Sequence, residues 1–136
     1  MDDRNSDKRL LVIDDEENMR HMLSTVLEKA GYWVDCATDG SQGLKMIDNT
    51  LYEFILCDIK MPKMDGMAFL KAARTRLDTS TVIMMSAYET IDTAIEAMKL
   101  GAYDYISKPF ESDDLLKHVA QYVEPPALHD TVKASR

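Results

Sequence analysis

Phe54-Ile55-Leu56-Cys57-Asp58-Ile59-Lys60-Met61-Pro62-Lys63-Met64-Asp65-Gly66 runs from an apolar segment, through one carboxylate, into a tight turn. Phe54 to Cys57 reads as a strongly apolar strand that ends at Asp58. Met61 to Gly66 is turn chemistry, with proline, aspartate and glycine close together. Asp65 and Gly66 suit the turn and the start of the next helix. That helix is predicted to continue through Arg76, with Met67, Phe69 and Leu70 facing a core.

The same alternation extends in both directions. Upstream, Arg9-Leu10-Leu11-Val12-Ile13 reads as a strand buried on both faces. The spacing predicts a helix over 18–30, with Met19, Met22, Leu23, Val26 and Leu27 on one stripe. Gly31 stops it. Tyr32 to Ala37 reads as a second strand, and Ser41 to Asn49 as a helix with Leu44 and Ile47 inward. Downstream, Thr81 to Met85 is a fourth strand ending at Ser86. A helix follows over 90–100, with Ile91, Ile95 and Met98 as its apolar stripe and Gly101 as its stop. Tyr103 to Ile106 is a short fifth strand, and Asp113 to Val123 a fifth helix.

Five strands alternating with five helices imply an α/β fold, a parallel sheet with helices on both faces. Right-handed crossovers then carry the functional groups to the carboxyl ends of the strands. Residues 1–7 read as a disordered N-terminal segment, 8–123 as the domain, and 124–136 as a linker or C-terminal tail opened by Pro125-Pro126.

Composition narrows the function classes. The chain has 136 residues, a length that suits one globular domain, and is 46% hydrophobic. Its formal charge is 16 − 24 = −8. An acidic surface repels phosphate backbones and anionic lipids, so direct nucleic-acid or membrane contact is not expected. Cys36 and Cys57 lack CxxC spacing and read as buried free thiols, which fits a reducing cytoplasm. No apolar run approaches the roughly 20 residues of a membrane helix. His21, His118 and His129 share no ligand-like spacing and read as exposed helix or tail residues. The ten methionines read as core filler.

Chemistry collects where the strands end. Asp14, Asp15 and Glu16 follow the first strand, Asp58 closes the third, and Ser86 closes the fourth. Ser107-Lys108-Pro109-Phe110 follows the fifth. Carboxylates brought together repel one another unless a cation joins them, and Mg²⁺ takes hard oxygen ligands while keeping some water. A carboxylate in such a site can become an aspartyl phosphate. Lys108 would supply an ammonium, and Ser86 a hydroxyl donor, to the transferred group.

Val12-Ile13-Asp14-Asp15-Glu16, Leu56 to Gly66, Met85-Ser86-Ala87 and Lys108-Pro109-Phe110 together resemble the receiver domain of two-component response regulators. Gly101 to Phe110 is most similar to receivers of the NtrC type, which often precede a sigma-54-dependent ATPase domain. The resemblance implies a flavodoxin-like (βα)5 fold, doubly wound, with strand order 2-1-3-4-5. It implies that Asp58 is the phosphoacceptor, with Mg²⁺ held by Asp14, Asp15, Asp58 and the backbone carbonyl of Lys60. It makes Ser86 the switch hydroxyl, Lys108 the site lysine, Tyr105 the switch aromatic, and the bond before Pro109 cis. The side chains of Lys60 and Tyr88 are expected to tune phosphoaspartate lifetime. The implied partners are a sensor histidine kinase, a second copy paired through the fourth helix, fifth strand and fifth helix, and a downstream output domain, in a cytoplasmic setting. Such a domain catalyses only its own phosphorylation and dephosphorylation.

Other classes share parts of this pattern. An aspartyl-phosphate phosphohydrolase of the haloacid dehalogenase type wants Asp-x-Asp after its first strand, where this chain has Asp14-Asp15-Glu16. A flavodoxin-like flavin carrier wants a Ser/Thr/Gly-rich loop there. A non-phosphorylated scaffold would not need the complete acid set and Lys108.

Overall fold

The computed structural model describes residues 9–76, 80–87 and 91–123. Tyr88, His129 and the two terminal segments lie outside them. Among the described residues, five strands alternate with five helices: β1 (Arg9–Ile13), α1 (Glu17–Lys29), β2 (Trp33–Ala37), α2 (Gly40–Asn49), β3 (Phe54–Asp58), α3 (Gly66–Ala73), β4 (Thr81–Ser86), α4 (Ile91–Lys99), β5 (Asp104–Ser107) and α5 (Ser112–Tyr122). All the strand pairs are parallel, in the order β2-β1-β3-β4-β5. This is the doubly wound α/β architecture that the alternation and the resemblance led us to expect.

The pleat sorts each central strand between two cores. Leu10, Val12, Phe54, Leu56, Ile83 and Met85 face one side, where Leu23 and Leu27 of α1 and Leu115 and Val119 of α5 cover them. Leu11, Ile13, Ile55, Cys57, Val82 and Met84 face the other, against Phe69, Leu70 and Ala73 of α3 and Ala97 of α4. Burial on both faces is why β1, β3 and β4 read as continuous apolar runs rather than alternating ones. Among the described residues, no helix is long and apolar enough to cross a membrane.

Three local readings differ from the structure. The third helix ends at Ala73 and tightens into a 3-10 turn over Arg74–Arg76 instead of continuing as α-helix, a common way for a last turn to close. On α4 the apolar stripe does not face the core: Ile95 is 48% exposed and Met98 45%, while Ala97 is buried. The small side chain at Ala97 lets the helix lie close to the sheet and turns its larger apolar residues outward; the Ile91 side chain lies outside the description. Of the two free cysteines, Cys57 is buried, but Cys36 on edge strand β2 is only half-buried.

Candidate functional site

The ends of β1, β3, β4 and β5 open into one cavity of about 310 Å³, lined by Asp14, Asp15, Glu16, Asp58, Lys60, Ser86, Ala87 and Lys108. Parallel register produces this gathering. Asp58 pairs with Met85, one residue before Ser86, and Ser86 pairs with Ser107, one residue before Lys108. The backbone reinforces it, because the Ile59 N–H donates to the Met85 carbonyl and the Lys108 N–H to the Ser86 carbonyl.

The two adjacent acids after β1 have opposite fates. Asp14 is fully buried, whereas Asp15 is exposed at the cavity. Asp14 is held at four points. Its N–H donates to the Ala37 carbonyl at 3.1 Å, and its own carbonyl accepts from Arg20 Nη1 at 2.9 Å. Its Oδ1 accepts from the Glu16 N–H and its Oδ2 from Lys108 Nζ, both at 2.9 Å. Asp58, 5% exposed, ends β3 beneath the same ammonium, with Lys108 Nζ 3.4 Å from its Oδ1.

Electrostatics follow from this crowding. Burial, then the Asp14 charge, pushes the Asp58 carboxyl up from 3.8 to about 6, against the opposing pull of Lys108. Burial disfavours the Lys108 ammonium, but its hydrogen bond to Asp14 and the charges of Asp14 and Asp58 outweigh that and raise it. Asp14, Asp15 and Asp58 each offer a carboxylate oxygen within 4.8 Å of the others. Hard oxygens this close, with mutual repulsion still to be relieved, fit a small divalent cation.

The turn after Asp58 is built for close approach. The Gly66 N–H donates to the Ile59 carbonyl at 2.9 Å, and the Asp65 carboxylate caps α3 through the Ala68 N–H. The Gly40 N–H of α2 donates to the Met64 carbonyl at 3.0 Å and clips the turn to its neighbour. The Lys108–Pro109 peptide is cis.

Tyr105 is not part of this cavity. It is half-buried on β5 against the second core and lines a separate groove of about 440 Å³ with Pro109, Phe110, Asp114, Lys117 and His118. Nor is His118 simply exposed, since its Nε2 lies 3.5 Å from Asp104 Oδ2. Arg20 is the site contact that the sequence reading missed. An arginine one turn into an amphipathic helix carries no mark that distinguishes it from a solvent-facing one.

Comparison with known proteins places the chain in a family. The chain is 42% identical over 107 residues to the regulatory protein AtoC of Escherichia coli (strain K12), a match covering 79% of this chain and 23% of AtoC. The chain thus spans about a quarter of that regulator's length. A crystal structure of a CheY-like response regulator receiver domain protein from Methanospirillum hungatei JF-1 superposes with a TM-score of 0.81 at 30% identity, covering 93% of this chain and 98% of that one. The solution structure of the beryllofluoride-activated NtrC4 receiver domain dimer gives 0.80 at 34% identity, covering 85% and 96%. The family description "Response regulator receiver domain" matches residues 10–120, from the start of β1 to the last turns of α5. A sheet of this order, acids and a lysine at these strand ends, and a match across nearly the whole described fold make the chain a member of the response regulator receiver domain family, similar to its NtrC-type receivers.

Proposed function

We propose that this domain is a phosphorylation-dependent switch in which Asp58 accepts a phosphoryl group from the phosphohistidine of a partner sensor histidine kinase. The observation that carries this reading is the convergence on Asp58: a nearly buried carboxylate with an ammonium 3.4 Å away and two further acids in the same cluster. With its carboxyl near about 6, Asp58 is mostly ionised at neutral pH and can act as a nucleophile. In the transfer, one of its oxygens bonds to phosphorus as the phosphorus–nitrogen bond to the donor imidazole breaks. Lys108 faces the oxygens of the transferring group and offsets their charge.

Asp14, Asp15, Asp58 and the Lys60 carbonyl would hold Mg²⁺, which supplies charge neutralisation on the phosphoryl oxygens. Ser86, buried at the end of β4, donates a hydrogen bond to the phosphoryl group once it is attached. Its movement makes room for Tyr105 to turn inward. The side chains of Lys60 and Tyr88 set how readily water reaches the product.

The phosphoryl group adds about −1.5 to −2 charges. A switch needs only a few kcal/mol of preference for one state. The surface that responds is α4-β5-α5, which would pair with a second copy or with an output domain of the same full-length protein, in transcriptional regulation in the cytoplasm. The short span relative to AtoC supports an output module outside residues 8–123. The domain would have no separate substrate and would catalyse only its own phosphorylation and dephosphorylation.

Incubation with Mg²⁺ and acetyl phosphate, followed by intact mass measurement, tests the proposal. A single phosphate adduct on the wild type, absent from Asp58→Asn, is expected. An adduct that persists in Asp58→Asn would overturn it.

A further inference from the structure

We infer that Arg20 is a positioning residue for the cation site, gripping the peptide that joins Asp14 to Asp15 and thereby setting where both carboxylates stand. The inference rests on the cation-binding reading above.

The contact itself is specific. Arg20 Nη1 lies 2.9 Å from the Asp14 carbonyl oxygen, in a part-buried setting, six residues along the chain. That carbonyl belongs to the peptide plane between the two acids. Fixing the plane fixes the direction in which the next Cα–Cβ bond leaves. Asp14 is buried and Asp15 exposed, so the plane has to send consecutive side chains to opposite sides of the loop. The other Asp14 contacts act differently: the Glu16 N–H, bonding Asp14 Oδ1, closes a turn around the same peptide through the side chain and leaves its carbonyl oxygen to Arg20. The Ala37 carbonyl holds the Asp14 N–H, and the Glu16 N–H and Lys108 hold the carboxylate oxygens. Of these four contacts, only the guanidinium takes hold of the carbonyl.

Arg20 is itself well anchored. Its N–H donates to the Glu16 carbonyl at 3.0 Å, and its own carbonyl accepts from Ser24 Oγ at 2.8 Å. The arginine is therefore seated on the first turns of α1, the helix that opens immediately after the acids. Its fork ties that helix back to the end of β1.

Arg20 also brings a positive charge near the acids, and the two effects have opposite signs. As a charge alone it would oppose a cation, so its removal would tighten binding. As a clamp it pre-forms the site, so its removal loosens binding. Partners that orient ligands typically account for about tenfold or more in metal affinity. Mg²⁺ demands near-ideal octahedral geometry, whereas Ca²⁺ tolerates irregular ligation. Loss of a clamp should therefore weaken Mg²⁺ more than Ca²⁺.

The test is calorimetric titration of wild type and Arg20→Met with Mg²⁺ and with Ca²⁺, well below the unfolding temperature, with circular dichroism in EDTA confirming the fold. The expected result is about tenfold weaker Mg²⁺ binding and a fall in the Mg²⁺-to-Ca²⁺ affinity ratio. Unchanged or tighter Mg²⁺ binding overturns the inference, as does an equal loss for both ions. Should Arg20→Met fail to fold, Arg20→Lys, which keeps the charge but not the planar fork, carries the test with the same sign and a few-fold effect. A wild type that binds neither ion would defeat the cation-site reading itself. A wild type that binds Mg²⁺ as tightly as its variant would defeat only the role of Arg20.

Discussion

Gly66 packs so closely under Asp58 that a single added methyl group would overlap the Asp58 carbonyl oxygen and come within 2.8 Å of the Ile59 Cα. Both obstacles are backbone, which cannot swing aside as a side chain would. Gly66→Ala is therefore expected to push β3 and the turn apart. Overpacking of this kind destabilises by about 1–3 kcal/mol, and here it would also move the Asp58 carboxylate. Urea unfolding together with the rate of acetyl phosphate labelling measures both effects. Unaltered stability and rate would show that the turn absorbs the methyl group.

Lys108 bridges two buried acids, at 2.9 Å from Asp14 and 3.4 Å from Asp58. Lys108→Met leaves the Asp14 carboxylate buried without its counter-ion. Breaking such a pair destabilises by about 3 kcal/mol or more. Lys108 also holds the Asp58 carboxyl down, so the variant should titrate above the wild-type value of about 6. Loss of the ammonium should slow phosphoryl transfer on the order of 100-fold. Carbon-detected NMR of the Asp58 carboxyl follows the titration, and intact mass follows the transfer.

The raised Asp58 carboxyl fixes a direction for stability against pH. In the unfolded chain this group titrates at 3.8, and in the fold, without metal, at about 6. The folded state therefore holds the proton more tightly. The contribution of this group is full below about pH 3.8 and is lost as pH rises through about 6. Asp58→Asn should accordingly raise the stability of the metal-free protein at pH 7 by up to about 3 kcal/mol, a gain that disappears near pH 3.5. Mg²⁺ should stabilise the wild type more than the variant. Thermal melts in EDTA and in Mg²⁺, across pH 3.5 to 8, measure this. A variant no more stable than wild type at pH 7 would count against it.

On the α4-β5-α5 side, Ile95, Met98 and Tyr103 stand 48%, 45% and 57% exposed. Replacing Ile95 and Met98 together with glutamate should leave the fold nearly as stable, within about 1 kcal/mol, because neither side chain is in the core. On the proposed pairing through this side, it should also weaken association of the phosphorylated protein at least about tenfold, because it puts charge where exposed apolar side chains would be covered. Analytical ultracentrifugation with and without acetyl phosphate separates the two effects. Pairing that survives the double substitution would move the contact to another face.

The alternation of elements, and the residues that close each strand, can be read from the amino acids directly. Both are local properties. Unbroken apolar runs such as Phe54 to Cys57 mark strands covered on both faces, and Gly31, Gly101 and the Pro62–Gly66 turn mark where the chain must change direction. Asp58, Ser86 and Lys108 were legible for the same reason, because a parallel sheet places all strand ends on one edge. Tertiary structure alone decided how those residues divide their contacts. Asp14 lies inside and Asp15 outside, Lys108 is nearer Asp14 than Asp58, and Arg20 holds the peptide between the two acids. It also decided the phase of α4, where Ala97 is buried and the larger apolar residues face outward. Lys108 and Asp14 meet across 94 positions of chain. Periodicity describes how a segment folds on itself, whereas their separation is set by helices and strands packing against one another, and no local pattern encodes that distance.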